Sequence, residues 1–275
     1  MSSPNKSQSS SMANQRHITV LKKGASEWNK WRKKNNEIRP ELAGANLRKV
    51  KLNNADLTEA DLRNADLLGA KLKDANLTNA DLTGADLRDA DLSQANLSNA
   101  NLTQANLFQA NFGGANLAGA NLTDADLKCT NFSEANLSCA DLRGADLRGE
   151  VNFSSAILSN SDLSNANLFD AIFVKANLVQ ANLCGADLRQ ALLIGANLSQ
   201  ANLSQANLVS ANCREANLNQ ANLTEAKLIE VSFIDANLSE ANFSQSDLSR
   251  ASFYDAIFKK ANFSEANLYE ASLSG

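Results

Sequence analysis

Few side chains in this sequence could support catalysis, because the chain contains one histidine, His17, and four cysteines. General-base or nucleophilic catalysis needs a polarised group held beside a partner of suitable pKa. His17 follows a Ser/Asn/Gln-rich stretch, and no Ser, Cys or Asp is predicted beside it. We therefore expect His17 to be solvated, and we predict no catalytic residue.

The aspartates are numerous, but they return at regular intervals, as Asp61, Asp81 and Asp141 do. Such recurrence is typical of the outward positions of a repeat. A pair of catalytic carboxylates would need a concave pocket, and an unbroken rod with a filled lumen has none. The sequence therefore predicts that the protein is not an enzyme.

The cysteines predict neither a disulfide framework nor a zinc site, because both need clustered spacings. Cys129 and Cys139 lie ten residues apart, and Cys213 falls on an inward position of the repeat. These thiols fit a reducing compartment. No stretch is apolar over the roughly 18 residues that a membrane span requires, and residues 1–16 lack the apolar region of a signal peptide. We predict a cytoplasmic protein with no cofactor, no metal and no membrane contact.

The elements that must position any functional residue come from an internal repeat with a period of five. Each repeat has a Leu or Phe, which we call the centre, and usually an Ala two residues earlier, which we call the partner. Centres run without a gap from Leu42 to Leu147 and, after one extra residue near Glu150, from Phe153 to Leu273. A period of five suits neither a helix nor a strand. It suits a chain that turns a corner every five residues, with centre and partner inward.

Four corners make a square coil of twenty residues, and the phenylalanines support that number. Phe112 and Phe132 are twenty residues apart, Phe153 follows at twenty-one, and Phe173 at twenty again. These residues share one face if the extra residue near Glu150 is a bulge at a corner. The sequence therefore predicts an all-β solenoid of about twelve stacked coils, joined by backbone hydrogen bonds at about 4.8 Å.

The chain divides into three predicted segments. Residues 1–16 lack core-forming side chains and are predicted to be disordered. Residues 17–39 are predicted to form an N-terminal cap, because solenoids need their open end covered. Residues 40–275 are predicted to form the repeat, with a one-residue bulge near residue 150.

Within the cap, His17–Leu21 is predicted to be a short strand. Ser26 is predicted to N-cap a short helix that carries Trp28 and Trp31 at i, i+3 and ends before Pro40. The two tryptophans would then cover the first coil.

The repeat resembles the A(D/N)LXX pattern of the pentapeptide-repeat family, as in residues 80–84, ADLTG. The resemblance covers about residues 40–275, and it implies a right-handed quadrilateral β-helix with a helical cap. Long arrays of this kind resemble those abundant in cyanobacteria, where some related rods regulate differentiation by binding partner proteins. Fold alone says little about function, so the partner stays open.

Charge is distributed unevenly, and this raises an alternative function. Residues 1–52 hold twelve Lys/Arg and three Asp/Glu, whereas residues 53–275 hold fourteen and twenty-seven, a net charge of −13. The pattern resembles that of quinolone-resistance proteins, acidic rods that occupy the DNA site of gyrase. A rod of roughly 55 Å would replace duplex DNA carrying about 32 charges. Because the net charge of −13 falls well short of the charge of that DNA, an acidic DNA mimic is only the second hypothesis. We predict no nucleic-acid partner.

The outward residues beside the centres become apolar on two adjacent faces of the C-terminal half. A contiguous exposed apolar patch usually marks an interface, so we predict a protein partner, or a second copy, on this apolar stripe. The alternative is drift in a tolerant repeat, and the competing homodimer site is the C-terminal coil with Phe263, Leu268 and Leu273. The function we predict is a non-catalytic protein-binding scaffold or regulator. The apolar stripe comprises Phe169, Ile172, Val174, Leu192, Ile194, Val209, Ile229, Ile234, Tyr254 and Tyr269.

Overall fold

Two short helices precede the repeat in the computed structural model, which describes residues 13–273. Helix α1 spans Gln15–Leu21, and the Asn14 side chain caps it by accepting hydrogen bonds from the Arg16 and His17 amides. Helix α2 spans Ala25–Lys34 and follows Gly24, whose φ of 100° suits glycine. Neither helix is long and apolar enough to cross a lipid bilayer.

Two predictions for the elements of the cap were wrong. His17–Leu21 is helical rather than a strand, although Ile18, Thr19 and Val20 favour a strand by intrinsic propensity. The helical conformation is favoured over the extended one because it buries His17 and Leu21, which are four residues apart, on the same side of the helix. Gly24 rather than Ser26 occupies the N-cap of α2.

Residues 13–16 were predicted to be disordered but are ordered, because Asn14 contacts both α1 and the first coil. Its side chain caps α1, and its backbone amide donates to the Glu41 carbonyl at 2.9 Å. The remainder of the predicted tail, residues 1–12, lies outside the described residues.

The cap packs on the first coil through its aromatic side chains. Trp28 is fully buried, and its indole N–H donates to the Asp56 carbonyl at 2.6 Å. The Trp31 ring stacks on it with centroids 5.0 Å apart. Arg32 is also buried, and its guanidinium donates to the Ile38 carbonyl at 2.6 Å. These contacts cover the end of the lumen with two tryptophan rings and with the buried Arg32, whose guanidinium is hydrogen-bonded.

Each repeat makes one tight turn. The amide of the next partner donates back to the centre carbonyl, as Ala45 does to Leu42 at 3.0 Å. The residue two after the centre lies in the left-handed region, such as Gly84 with φ 65° and Asn99 with φ 55°. Glycine enters this region freely, and asparagine is the next most tolerant. The turn therefore accounts for the glycines and asparagines at the corners, and it holds many Gln and Glu residues, such as Gln94 and Glu59, in the same left-handed region.

The coils stack through parallel bridges between residues twenty apart, from Glu41↔Asp61 onward. Every one is an isolated bridge, and no continuous strand exists within residues 13–273, because each flat segment is interrupted by a turn after a few residues. We number the four faces by their first centres: face 1 from Leu42, face 2 from Leu47, face 3 from Leu52 and face 4 from Leu57.

The prediction that centres and partners point inward is confirmed. Leu82 and Ala80 are at most 1% exposed, as are nearly all their equivalents. The face 3 phenylalanines form a continuous ring stack, with centroid distances of 5.1, 5.2 and 4.9 Å from Phe112 through Phe132 and Phe153 to Phe173. Such parallel stacks add to the apolar burial of the core.

The bridge spacing changes from 20 to 21 residues at Asn131↔Asn152, and the ring stack continues across the change. Gly149 and Glu150 both have positive φ, 82° and 57°, and both are exposed. The extra residue therefore forms a bulge at the corner between faces 2 and 3.

Candidate functional site

The position before each centre explains why Asn and Asp dominate the outward surface. Its side-chain oxygen accepts a hydrogen bond from the amide of the residue after the centre, as Asn101 does from Thr103 at 3.1 Å and Asn131 from Ser133 at 3.0 Å. That amide points out of the coil and has no neighbouring carbonyl. We call this contact the turn bond.

Many of the same side chains also bind one another from coil to coil. On face 1, the Asn202 amide group donates to Asn182 at 3.1 Å, and Asn182 donates to Asp162 at 3.1 Å. On face 4, Asn217 binds Asn197 at 3.2 Å. These ladders hold neighbouring coils in register and satisfy exposed polar atoms.

Where an Arg follows the centre, it pairs with the Asp of its own repeat. Arg88 donates to Asp86 at 2.6 Å, and this hydrogen bond holds the pKa of the Asp86 carboxyl below its usual value. Such pairs neutralise acids along faces 1 and 2, which weighs against a continuous acidic face of the kind that a DNA mimic needs. The other Asp–Arg pairs of this form are Asp61–Arg63, Asp141–Arg143, Asp146–Arg148 and Asp187–Arg189.

The structure places the ten stripe residues on faces 2 and 3, and none of them is buried. Two are well exposed, Tyr254 at 51% and Tyr269 at 63%. The others are half-buried, because each side chain lies against the outward side chain of the next coil. Ile172 and Leu192 are bridged directly to each other. The face 2 members are Phe169, Val209, Ile229 and Tyr269, and the face 3 members are Ile172, Val174, Leu192, Ile194, Ile234 and Tyr254.

Two stripe residues abolish the turn bond. Ile172 and Leu192 occupy the position before the centre, where Asn or Asp would accept from the amides of Val174 and Ile194. Neither amide forms a hydrogen bond within residues 13–273. An unmade backbone hydrogen bond costs about 1 kcal/mol or more when the amide is shielded from water. Both residues are half-buried, so these two positions give up a hydrogen bond that the repeat makes elsewhere.

A cation lies within the face 2 column of the stripe, because Arg189 occupies the position between Phe169 and Val209. The Arg189 guanidinium lies 5.6 Å from the centre of the Phe169 ring and forms a 2.6 Å ion pair with Asp187. The ring and the cation together give this column both apolar and charged character, a combination enriched in protein interfaces.

The prediction of the stripe missed further exposed apolar residues. Ile157, 42% exposed, and Ile257, 59% exposed, occupy the position before the centre on face 4. The signal that could have found them is the same one, an apolar side chain where the repeat has Asn or Asp. In the last described coil, where the competing C-terminal site was predicted, Leu268 and Leu273 are 37% and 56% exposed and Phe263 is half-buried, because no further coil covers them within the described residues. Phe258, which is 40% exposed, belongs to the same coil and was missed.

His17 lies elsewhere, and the prediction that it is solvated was wrong. It is 5% exposed, and its Nδ1 accepts a hydrogen bond from the Glu41 amide at 3.1 Å. Its ring packs 4.8 Å from that of Trp31. Burial lowers the pKa of His17. Its role is therefore to join α1 to the first coil.

No group of three or more His, Cys, Asp or Glu side chains within residues 13–273 could hold a metal ion. A cavity of about 580 Å³ lies between α1 and face 1 and is open to solvent. Its lining includes Ile18, Lys22 and Arg63, and the Arg63 guanidinium is paired with Asp61.

Comparison with known proteins supplies the family. The family model described as pentapeptide repeats matches in eight copies across residues 41–275. Among proteins with curated functions, none matches the chain.

Several solved structures match, all with low TM-scores. One is the crystal structure of HetL, a pentapeptide repeat protein involved in heterocyst differentiation regulation from the cyanobacterium Nostoc sp. strain PCC 7120, with 33% identity over 86% of this chain and 95% of that chain and a TM-score of 0.32. A second is AT2G44920, a pentapeptide repeat protein from the Arabidopsis thaliana thylakoid lumen, with 35% identity over 32% of this chain and 65% of that chain and a TM-score of 0.28.

A third, QnrB1, a plasmid-mediated fluoroquinolone resistance protein, has 23% identity over 67% of this chain and 84% of that chain, with a TM-score of 0.39. The four-sided stack of coils rests on this chain's own bridges between residues twenty apart. The repeat model and the identity to HetL agree with the turn and burial pattern: the chain belongs to the pentapeptide-repeat family.

Proposed function

We propose that this chain is a non-catalytic protein-binding rod, a scaffold or regulator, and that a protein partner docks on the apolar stripe. The observation that carries the proposal is the loss of the turn bond at Ile172 and Leu192. At these positions, the repeat gives up a hydrogen bond in order to present apolar side chains on its surface. Positions that break a local rule without benefit to the fold are expected at functional sites.

The size of the stripe favours a protein over a small ligand. Its face 2 column runs from Phe169 to Tyr269, five coil steps, or about 24 Å at the inter-strand spacing. The surface is flat and open rather than concave, which suits a protein partner better than a small molecule. Burial of apolar surface contributes about 25 cal/mol per Å², part of which offsets the entropy lost on association.

The sharpest test restores the residue that the repeat prefers. The double variant Ile172→Asn/Leu192→Asn should form both turn bonds, because Asn fills this position in most repeats. We expect its free energy of unfolding to be unchanged or about 1–2 kcal/mol higher. Used as tagged bait in a lysate of the source organism, it should lose a protein that the parent chain retains.

Ile157→Asn is the matched control, since it makes the same exchange at the same repeat position on face 4. It should gain a turn bond and keep the partner. Retention of the partner by the double variant would refute the stripe as its docking site. A large loss of stability in the double variant would show that the two residues face the core. Equal inhibition of gyrase supercoiling by the parent and the double variant would favour the DNA-mimic alternative.

A further inference from the structure

A second surface of the rod departs from the repeat pattern at its N-terminal end. Lys49, Lys51, Lys71 and Lys73 are all exposed and lie on face 3 and its corner with face 2, in the first two coils. We call them the lysine cluster. Lys51 and Lys71 are bridged to each other, so two like charges stand on adjacent coils. Like charges directly opposite each other are destabilising.

The lysine cluster is unusual because four cations without an ion pair lie together on two adjacent coils. Eight of the seventeen Lys and Arg residues of the repeat form ion pairs, whereas the four lysines of the cluster form none within residues 13–273. The paired cations are Arg48, Arg63, Arg88, Lys128, Arg143, Arg148, Arg189 and Arg250.

Side-chain geometry concentrates the charges. A Cβ placed on Gly69 would lie 3.3 Å from the Lys49 Cγ, so the Lys49 stem runs over Gly69 toward the second coil. Lys71 and Lys73 flank the centre of that coil. The absence of a side chain at Gly69 therefore leaves Lys49 room to approach the other lysines.

The cluster also sacrifices turn bonds, as the apolar stripe does. Lys51 and Lys71 occupy the position before the centre, where a lysine cannot accept a hydrogen bond. The Asn53 amide consequently has no partner within residues 13–273, and the Lys73 amide turns to the Asn53 side chain of the previous coil at 3.1 Å. Charge repulsion therefore costs stability at this site, whereas the missing turn bond costs little, because Asn53 is exposed and water can bind its amide.

We propose that the lysine cluster binds a short acidic segment of a protein partner. This inference rests on the proposed function, and it adds the chemistry of one contact. The acidic segment supplies the counter-charges that the cluster lacks. Because exposed charge pairs are individually weak and screened by salt, several lysines must act together.

A short segment fits better than nucleic acid or a membrane. The cluster spans one coil step, about 4.8 Å along the rod, whereas residues 53–275 carry a net charge of −13. A long polyanion that continued along the rod would meet this negative charge and be repelled. A compact acidic segment keeps its charge within the cluster.

The position of the cluster suits a partner that also touches the stripe. On face 3, the bridged column leads from Lys71 to Ile172 in five steps, a distance of about 24 Å. Both surfaces therefore open on the same side of the rod. A single elongated partner could place apolar side chains on one and carboxylates on the other.

The test measures binding of a fluorescein-labelled hexaglutamate peptide to the full chain by anisotropy. Salt should weaken the binding, because the Debye length shortens from about 14 Å at 50 mM to about 7 Å at 200 mM. The variant Lys51→Asn/Lys71→Asn should weaken it at least fivefold while melting at the same or a higher temperature. Asn is the residue that most repeats have at this position, so the loss would come from the missing charges rather than from misfolding.

Lys175→Asn/Lys227→Asn is the matched control, because it removes two exposed, unpaired lysines elsewhere on the rod. It should change peptide affinity by less than twofold. An equal loss in both double variants, or no binding of the peptide to the parent chain, would overturn the proposal. Equally tight, cluster-dependent binding of a short DNA duplex, or of phosphatidylserine-containing vesicles, would overturn the assignment to an acidic protein segment.

The two proposals fail separately. Ile172→Asn/Leu192→Asn leaves the lysine cluster intact and should bind hexaglutamate as the parent chain does. If this variant binds the peptide normally and still retains the cellular partner, the proposed stripe function fails. If the peptide does not bind the parent chain but the stripe variant loses its partner, only the lysine cluster proposal fails.

Discussion

Deletion of Glu150 should stabilise the rod, because Glu150 is the extra residue that lengthens one coil from 20 to 21 residues. In a regular coil, the amide two residues after the centre donates to a carbonyl of the next coil, and Gly144 and Gly149 occupy this position. The amide of the next partner donates to the carbonyl of the preceding centre, and Val151 is the partner here. None of these three amides forms a backbone hydrogen bond. The deletion should restore all three.

The magnitude follows from the exposure of the three amides. Gly144 and Gly149 are exposed, so water already binds their amides and the gain there is small, whereas Val151 is fully buried. At about 0.5–1.5 kcal/mol per net hydrogen bond, the sum is about 2 kcal/mol. That raises the melting temperature by roughly 4–8 °C for a chain of this size.

The assay is thermal unfolding followed by far-UV circular dichroism, with hydrogen exchange at Gly144, Gly149 and Val151 as the local measure. Exchange at all three amides should slow in the deletion variant. Deletion of Asn160, at the same corner position of a regular repeat, is the control and should destabilise, because it leaves a repeat of four residues. A lower melting temperature after deletion of Glu150 would refute the reasoning, since it would mean that the bulge relieves strain in the stack.

Two further predictions concern the cap and the thiols. Burial lowers the pKa of His17, so the neutral imidazole supports the fold. The cap should therefore be most stable above about pH 6.5, and its stability should fall as the pH falls below that value. Tryptophan fluorescence from pH 7.5 to 5 should report this change, because Trp28 and Trp31 are the only tryptophans. If a His17→Gln variant showed the same pH dependence, His17 would not be the group responsible. Burial raises the pKa of the Cys213 thiol to about 12. A thiol reagent should therefore label the exposed Cys129 and Cys139 in the folded chain and label Cys213 only after unfolding. Rapid labelling of Cys213 under native conditions would place it outside the core.

The inside–outside pattern of the repeat could be predicted because it is encoded locally. Leu82 and Ala80 point inward for the same reason in every repeat, since a corner every five residues turns the same two positions to the axis. Their neighbours twenty residues away have the same identities, so no distant information is needed. The location of Ile172 and Leu192 on an outward surface could be predicted on the same grounds.

The cap could not be read correctly in this way. His17–Leu21 has the β-branched residues of a strand, but contacts with residues far along the chain make it helical. Glu41, 24 residues from His17, donates to the ring that anchors α1, and Asp56, 28 residues from Trp28, accepts the indole N–H beneath α2. Capping depends on which surface the first coil offers, and that surface exists only after the coil has formed.

The sequence by itself determined the family, the twenty-residue coil, the inward residues and the departures from the Asn/Asp pattern, because each of these is a property of a five-residue unit and its regular neighbours. Only the tertiary structure decided what those departures cost. It identified the turn bond, left the amides of Val174 and Ile194 unpaired, paired eight cations of the repeat with acids, and left Lys51 and Lys71 outside those ion pairs. The physical reason is that hydrogen bonds and ion pairs form between particular atoms at particular distances, and a repeat pattern fixes the positions of residues but not which of their polar atoms meet.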